Sequence, residues 1–290
     1  MAKPHVAILG LGIMGAGMAA RLLSAGFPLS VYNRTREKAL PFSAGGARVA
    51  SSPREAAARA EIVISMVADD SASRNVWLGK DGALAEAQPG AVLIESSTLS
   101  VAWVKELARA VTGHDCRFLD APVTGTKPHA ASGELVFLVG GALEVLDSVR
   151  PVLSVLGREV IHLGPEGSGA MMKLINNFTC GVQAASFAEA LSMIKASGLD
   201  PAKAVSILTD GAPGSGILKR VASRTAAQDF TPNFSARLMT KDLAYAVHEA
   251  SARGIRLKTA SAALEVFQQA IAAGHGDEDF SVVTKALQQG

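Results

Sequence analysis

Cysteine is scarce: Cys116 and Cys180 stand alone in 290 residues, too few and too far apart for a disulfide framework or a zinc site, so both read as core thiols. Charge of one sign is lacking too. With 28 basic and 26 acidic side chains spread along the chain, the net charge is +2, which leaves no basic face to release counterions from nucleic acid. No window is long enough to cross a bilayer unbroken, and Met1-Ala2-Lys3-Pro4 runs into a short apolar strand rather than a signal segment. A soluble, cytoplasmic protein without nucleic-acid or membrane partners is expected. The six histidines, at positions 5, 114, 129, 162, 248 and 275, show no ligand spacing, and no metal is expected. What is present is a core: 49% of residues are hydrophobic and 19% charged, and a chain this long is expected to form two domains.

The order of apolar patterns is strand, helix, strand from the start. Val6-Ala7-Ile8-Leu9 is a short buried run, a helical pattern follows from Ile13 to Ala25 and stops at Gly26, and Leu29-Ser30-Val31-Tyr32 is the next strand. The alternation continues with a strand over 62–67, a helix over 71–78, a strand over 91–95 and a helix over 101–111. Further strands over 134–139 and 159–162 enclose a helix over 143–156. Such alternation predicts an α/β, doubly wound, Rossmann-type parallel sheet covered on both faces. After Gly164 the period changes. Residues 170–197 have helical spacing with Gly181 as the one strong breaker, enough for a helix roughly 40 Å long that connects two lobes. Helical patterns over 202–208, 235–252, 259–273 and from Ser281 follow with no strand between them. The expected domains are therefore 1–164, a dinucleotide-binding Rossmann domain, and 165–290, an all-helical substrate and oligomerisation domain that begins with the long helix. Its Ala-rich surfaces suit close helix packing and a homodimer or homotetramer.

Gly10-Leu11-Gly12-Ile13-Met14-Gly15 lies where the first strand passes into the first helix. Gly10 suits a tight turn, Gly12 a close approach of backbone to a pyrophosphate, and Gly15 close packing of helix on strand, with the helix N-terminus facing the phosphates. A site selective for NAD carries an acidic side chain at the end of the second strand, to bind the ribose hydroxyls. Here that end reads Asn33-Arg34-Thr35. Arg34 can pair with a 2′-phosphate, and Asn33 and Thr35 can donate hydrogen bonds, so NADP is the expected cofactor, with NAD as a second possibility. The competing reading makes Arg34 a solvated charge and gives the ribose to Glu37.

Four motifs in order, Ile8 to Gly15, Asp120-Ala121-Pro122-Val123-Thr124-Gly125, Gly167-x-Gly169-x-x-x-Lys173-Leu174-x-Asn176-Asn177 and Lys241-Asp242-Leu243, resemble the 3-hydroxyisobutyrate dehydrogenase or short 3-hydroxyacid dehydrogenase family over nearly the whole chain. That resemblance implies a Rossmann-type domain followed by a helical one. It makes Lys173 catalytic, gives substrate support to Asn177, and has Thr124, Gly125 and Thr126 hold a substrate carboxylate. Lys241 would close over cofactor and substrate, and Val67, Ala68 and Thr98 would add cofactor contacts. Lys127-Pro128 looks like the glyoxylate and succinic semialdehyde reductase branch.

The implied chemistry suits these residue types. Moving a hydride to or from a carbon requires a proton to move at its oxygen, and one lysine can serve both directions; desolvation and a neighbouring positive charge both favour its neutral amine. Lys173 and Asn177 are four residues apart on the expected helix and so share a face. The residues 122–131 read as a loop whose hydroxyls and N–H groups suit a carboxylate, and Asp120 as a residue that orders its turn by local hydrogen bonds. The expected activity is NADP-dependent hydride transfer to or from a small 3-hydroxyacid or semialdehyde. Imine reductases and reductive aminases are similar in their glycine loop and Asn-Arg-Thr turn, but usually lack the lysine; a non-catalytic dinucleotide-binding module is the third reading.

Overall fold

The computed structural model describes residues 2–286. Its strands are β1 (Val6–Leu9), β2 (Leu29–Tyr32), β3 (Arg48–Val49), β4 (Ile62–Ser65), β5 (Val92–Glu95), β6 (Arg117–Asp120), β7 (Val123–Thr124), β8 (Leu135–Gly140) and β9 (Gly157–Gly164). The helices that cover them are α1 (Ile13–Ser24), α2 (Leu40–Ser43), α3 (Pro53–Ala57), α4 (Asp70–Leu78), α5 (Val101–Thr112), α6 (Lys127–Ser132) and α7 (Leu143–Leu156). After β9 come α8 (Ser168–Ser197), α9 (Pro201–Asp210), α10 (Gly216–Ala226), α11 (Ala236–Ser251), α12 (Lys258–Ala270) and α13 (Val283–Ala286). Two compact units result, Met1–Lys173 and Leu174–Gly290, and the division between them falls inside α8.

In the first unit the strand order is β3-β2-β1-β4-β5-β6-β8-β7, with β9 beside β8. All four residues of β1, of β4 and of β5 are buried, as strands covered on both faces require, and each large aliphatic side chain so buried contributes roughly 1.5–3 kcal/mol. β1 pairs in parallel with β2 on one side and β4 on the other. The chain order reverses there, and in such sheets the crevice outside the C-terminal strand ends at that point is where ligands bind. The sheet is mostly parallel. β8 runs antiparallel to β6 and β7, which alternation alone does not predict, because β7 is two residues long and is fixed by pairing Val123 with Phe137 and Thr124 with Val136.

The second unit is built of helices, with one isolated antiparallel bridge, Ser235 to Asp279, among its described residues. Ala184, Ala185 and Ala188 of α8 pack with Leu218 and Val221 of α10, Met239 and Leu243 of α11, and Phe267 of α12. A Cβ on Gly181 would lie 2.9 Å from Met239 Sδ and 3.1 Å from Leu243 Cδ1, so the mid-helix glycine lets α11 approach α8. α10 escapes the sequence reading because it follows Gly211-Ala212-Pro213-Gly214. Ser215 starts it by accepting from Leu218 N at 3.1 Å, and Leu218, Val221 and Ala222 bury one face. α12 ends at Ala270, short of the expected Ala273, and a wide turn over Ile271–His275 carries Gly274 at φ +90°. No helix among the described residues is long and apolar enough to cross a membrane.

Candidate active site

The C-terminal ends of β2, β1, β4 and β5 lie side by side, and the predicted cofactor residues follow each of them. Gly10 turns the chain at φ +103°, and a Cβ there would sit 2.3 Å from Met66 O; one on Gly15 would sit 2.0 Å from Gly10 O. Both positions exclude any larger residue. A Cβ on Gly12 would meet nothing within 4 Å, so its backbone faces open space. Gly12 also starts α1 without a side-chain cap and with no acidic residue in the first turn, which leaves the positive end of the helix for an anion. Leu11 is buried, Met14 half-buried and Ile13 exposed.

Asn33 ties this loop to the turn after β2. Its Oδ1 accepts from Leu11 N at 2.8 Å and its Nδ2 donates to Thr35 O at 2.8 Å. Arg34, Thr35 and Glu37 are exposed there. After β4, Val67 N donates to Ser97 Oγ at 2.8 Å, which joins the Val67-Ala68 segment to the segment after β5 that holds Thr98.

Thr124 closes β7, and Gly125 follows at φ +144°, where a Cβ would lie 2.9 Å from Leu135 Cδ2 and 3.2 Å from His129 Cβ. Thr126 donates its N–H to His129 Nδ1 at 3.1 Å, with its Oγ1 2.7 Å from the same nitrogen. The segment read as a loop to Ala131 is in fact helical from Lys127. Pro128 sits in its first turn, where proline suits a helix, and Ala130 packs on α1 where a Cβ on Gly17 would come within 2.9 Å. Gly125→Ala is expected to cost about 1–3 kcal/mol from strained backbone alone. Thermal unfolding should show the loss.

Asp120 bonds locally, to its own backbone N–H, and also reaches far beyond its turn. It is fully buried at the end of β6, and its Oδ1 and Oδ2 accept from Gly167 N and Ala170 N, each at 2.7 Å. A side chain distant in sequence thus holds the start of α8, one turn ahead of half-buried Lys173. Burial pushes the Asp120 carboxyl from 3.8 up to about 6, against the pull of those two N–H groups and its own. Because the folded value lies above the unfolded one, this group favours folding most at low pH, and its contribution falls by about 2 kcal/mol as pH rises from 4 to 7. Denaturant unfolding of wild type and Asp120→Asn should show wild type losing that much ground to the variant over this range.

In the second unit, Asn177 and Lys241 are brought together by Asp242, a residue that sequence reasoning assigned no part in the chemistry. Asn177 Nδ2 donates to Asp242 Oδ2 at 2.6 Å, and Lys241 Nζ lies 2.8 Å from Asp242 Oδ1. Asn177 Oδ1 accepts from Asn176 Nδ2 at 2.9 Å. Asp242 is fully buried and Lys241 half-buried; an acidic residue next to a lysine is the only signal in the sequence, and it does not reveal the partner 65 residues away.

Known proteins match along the same division of labour. A family model described as the NAD binding domain of 6-phosphogluconate dehydrogenase matches residues 5–164, and one described as the NAD-binding domain of NADP-dependent 3-hydroxyisobutyrate dehydrogenase matches residues 167–287. An NAD-dependent L-serine dehydrogenase of Pseudomonas aeruginosa is 34% identical, covering 97% of each chain. Glyoxylate/succinic semialdehyde reductase 1 of Arabidopsis thaliana is 34% identical, covering 98% of each. Among solved structures, the 3-hydroxyisobutyrate dehydrogenase of Mycobacterium tuberculosis with L-serine superposes with a TM-score of 0.89 at 34% identity, over 99% of each chain.

Proposed function

The chain belongs to the 3-hydroxyisobutyrate dehydrogenase family, and from that premise we propose that it moves a hydride between NADP and a short 3-hydroxyacid or semialdehyde, with Lys173 handling the proton. It is an NAD(P)-dependent oxidoreductase of the 3-hydroxyacid dehydrogenase type. The observation that carries the cofactor choice is the open Gly12 backbone at an uncapped helix start, joined through Asn33 to an exposed turn whose charge next to Asn33 is Arg34. The residues fit a phosphorylated dinucleotide. Gly10 to Gly15 would hold its pyrophosphate, Arg34 and Thr35 its 2′-phosphate, and Val67, Ala68 and Thr98 would line its path along the strand ends. When bound, the dinucleotide supplies the hydride acceptor or donor.

Thr124 and Gly125 take the substrate carboxylate, while Thr126, engaged with His129, orders their loop. Lys173 gives a proton to the carbonyl oxygen in reduction and takes one from the hydroxyl in oxidation. Asn177 and Lys241 support the substrate and cofactor, and Asp242 keeps both in place. L-serine, the compound bound in one relative and named in another, is itself a 3-hydroxyacid and belongs in any substrate panel. The second unit exposes Met193, Leu199 and Ile207 to 74%, 59% and 71%, which supports self-association through the helical domain; sedimentation should show a dimer or tetramer.

Steady-state assays test this reading. NADPH oxidation with glyoxylate and succinic semialdehyde, and NADP reduction with 3-hydroxyisobutyrate and L-serine, should give turnover with at least one compound and none with a cyclic imine. Turnover of the imine alone would overturn the reading in favour of imine reduction. Tight NADPH binding without turnover across the panel would leave only a dinucleotide-binding module.

A further inference from the structure

Glu95, the last residue of β5, has no solvent exposure, and a carboxyl inside a sheet persists only where hydrogen bonds satisfy it. Its Oε2 accepts from Ser73 Oγ at 2.6 Å and from Trp77 Nε1 at 2.8 Å, both on α4. Its Oε1 accepts from Ser97 N at 2.8 Å. Ser73 Oγ in turn accepts from Trp103 Nε1 of α5 at 2.9 Å, which leaves its own proton for Glu95. The Ser97 hydroxyl hydrogen-bonds the carboxyl as well, so four donor groups surround it and both of its oxygens must accept.

This cage has an outlet toward the cofactor loops. Ser97, whose N–H is fixed by Glu95, accepts from Val67 N at 2.8 Å through its Oγ. Ser96 N donates to Ser65 O at 2.9 Å, which joins the same two segments a residue earlier. Met66, the neighbour of Val67, is the wall against which Gly10 turns, its carbonyl oxygen 2.3 Å from where a Cβ on Gly10 would be. A continuous series of contacts runs from Glu95 through Ser97 and Val67 to the glycine loop.

We propose that Glu95 is a positioning residue for dinucleotide binding: it fixes the backbone of residues 96–98 and, through Ser97, that of residues 66–68, without touching the cofactor. The inference rests on the reading that these loops hold NADP. Trp77 and Trp103 are the chain's two tryptophans, so indole emission reports directly on the cage while calorimetric titration reports on the loops.

The test titrates NADPH and NADH into wild type, Glu95→Gln and Ser97→Ala, and records tryptophan emission for each. Glu95→Gln keeps the volume but turns an amide N–H toward a donor; it should shift the emission, raise the NADPH Kd about tenfold and raise KM for NADPH with kcat held within about twofold. Ser97→Ala keeps the N–H that Glu95 accepts and removes the hydroxyl that joins Glu95 to Val67 N. It should shift the emission less than Glu95→Gln does, because the Trp77 and Ser73 contacts to the carboxyl stay, and raise the Kd about fivefold. A folded Ser97→Ala with wild-type affinity overturns the proposal, even where Glu95→Gln does not fold. Wild type that binds neither dinucleotide removes the premise, and the proposal with it, and that result is distinguishable because it appears before any variant is made.

Discussion

Lys173→Ala is expected to lower kcat by about 10²- to 10⁴-fold, the range in which a positioned acid or base acts, while the NADPH Kd stays within about threefold of wild type. The side chain sits in the sixth residue of α8, on a helix start that Asp120 fixes from β6, so its removal leaves the scaffold that orders the loops untouched. Lys173→Arg separates charge from proton transfer. A guanidinium keeps the positive charge but does not release a proton in a protein, and this variant is expected to be as slow as alanine. Single-turnover kinetics at saturating NADPH would check both variants, and an alanine variant retaining more than about a tenth of turnover would remove Lys173 from the chemistry.

The second large effect is on cofactor choice. Arg34→Ala should weaken NADPH by about 10- to 100-fold, the worth of one charge-assisted hydrogen-bonded pair to phosphate, with NADH changed by less than about threefold. Arg34→Glu should go further, since a carboxylate repels the 2′-phosphate and can accept from the ribose hydroxyls of NADH. Arg34 is exposed, so the difference between the two cofactors should shrink as salt rises. Titrations at two ionic strengths measure this, and equal losses for NADPH and NADH would assign Arg34 to the fold instead of the phosphate.

The sequence makes β1, α1 and β2 legible almost to the residue, because a buried parallel strand and an amphipathic helix each have a period, and glycine and the turn after Tyr32 punctuate them. Local chemistry is readable in the same way: Gly10, Gly12 and Gly15 each have a use that the structure separates, two as contact points and one as open backbone. What stays hidden is long-range. Asp120 looks like a turn residue until its partners appear 47 and 50 residues on, and Asp242 looks like a helix charge until Asn177 is seen against it. Glu95 ends an apolar run and gives no sign that an indole, a serine hydroxyl and a backbone N–H converge on it. α6 is masked by the proline in its first turn. Lys173 is conspicuous only through the resemblance of its surrounding motif, since an isolated lysine on a helix has no distinguishing period or neighbour.

The most direct test of the account compares kcat/KM for NADPH and NADH with succinic semialdehyde as the common acceptor. NADPH should be preferred by about tenfold or more, in line with one phosphate contact from Arg34; a preference for NADH, or oxidation of neither cofactor, would contradict it.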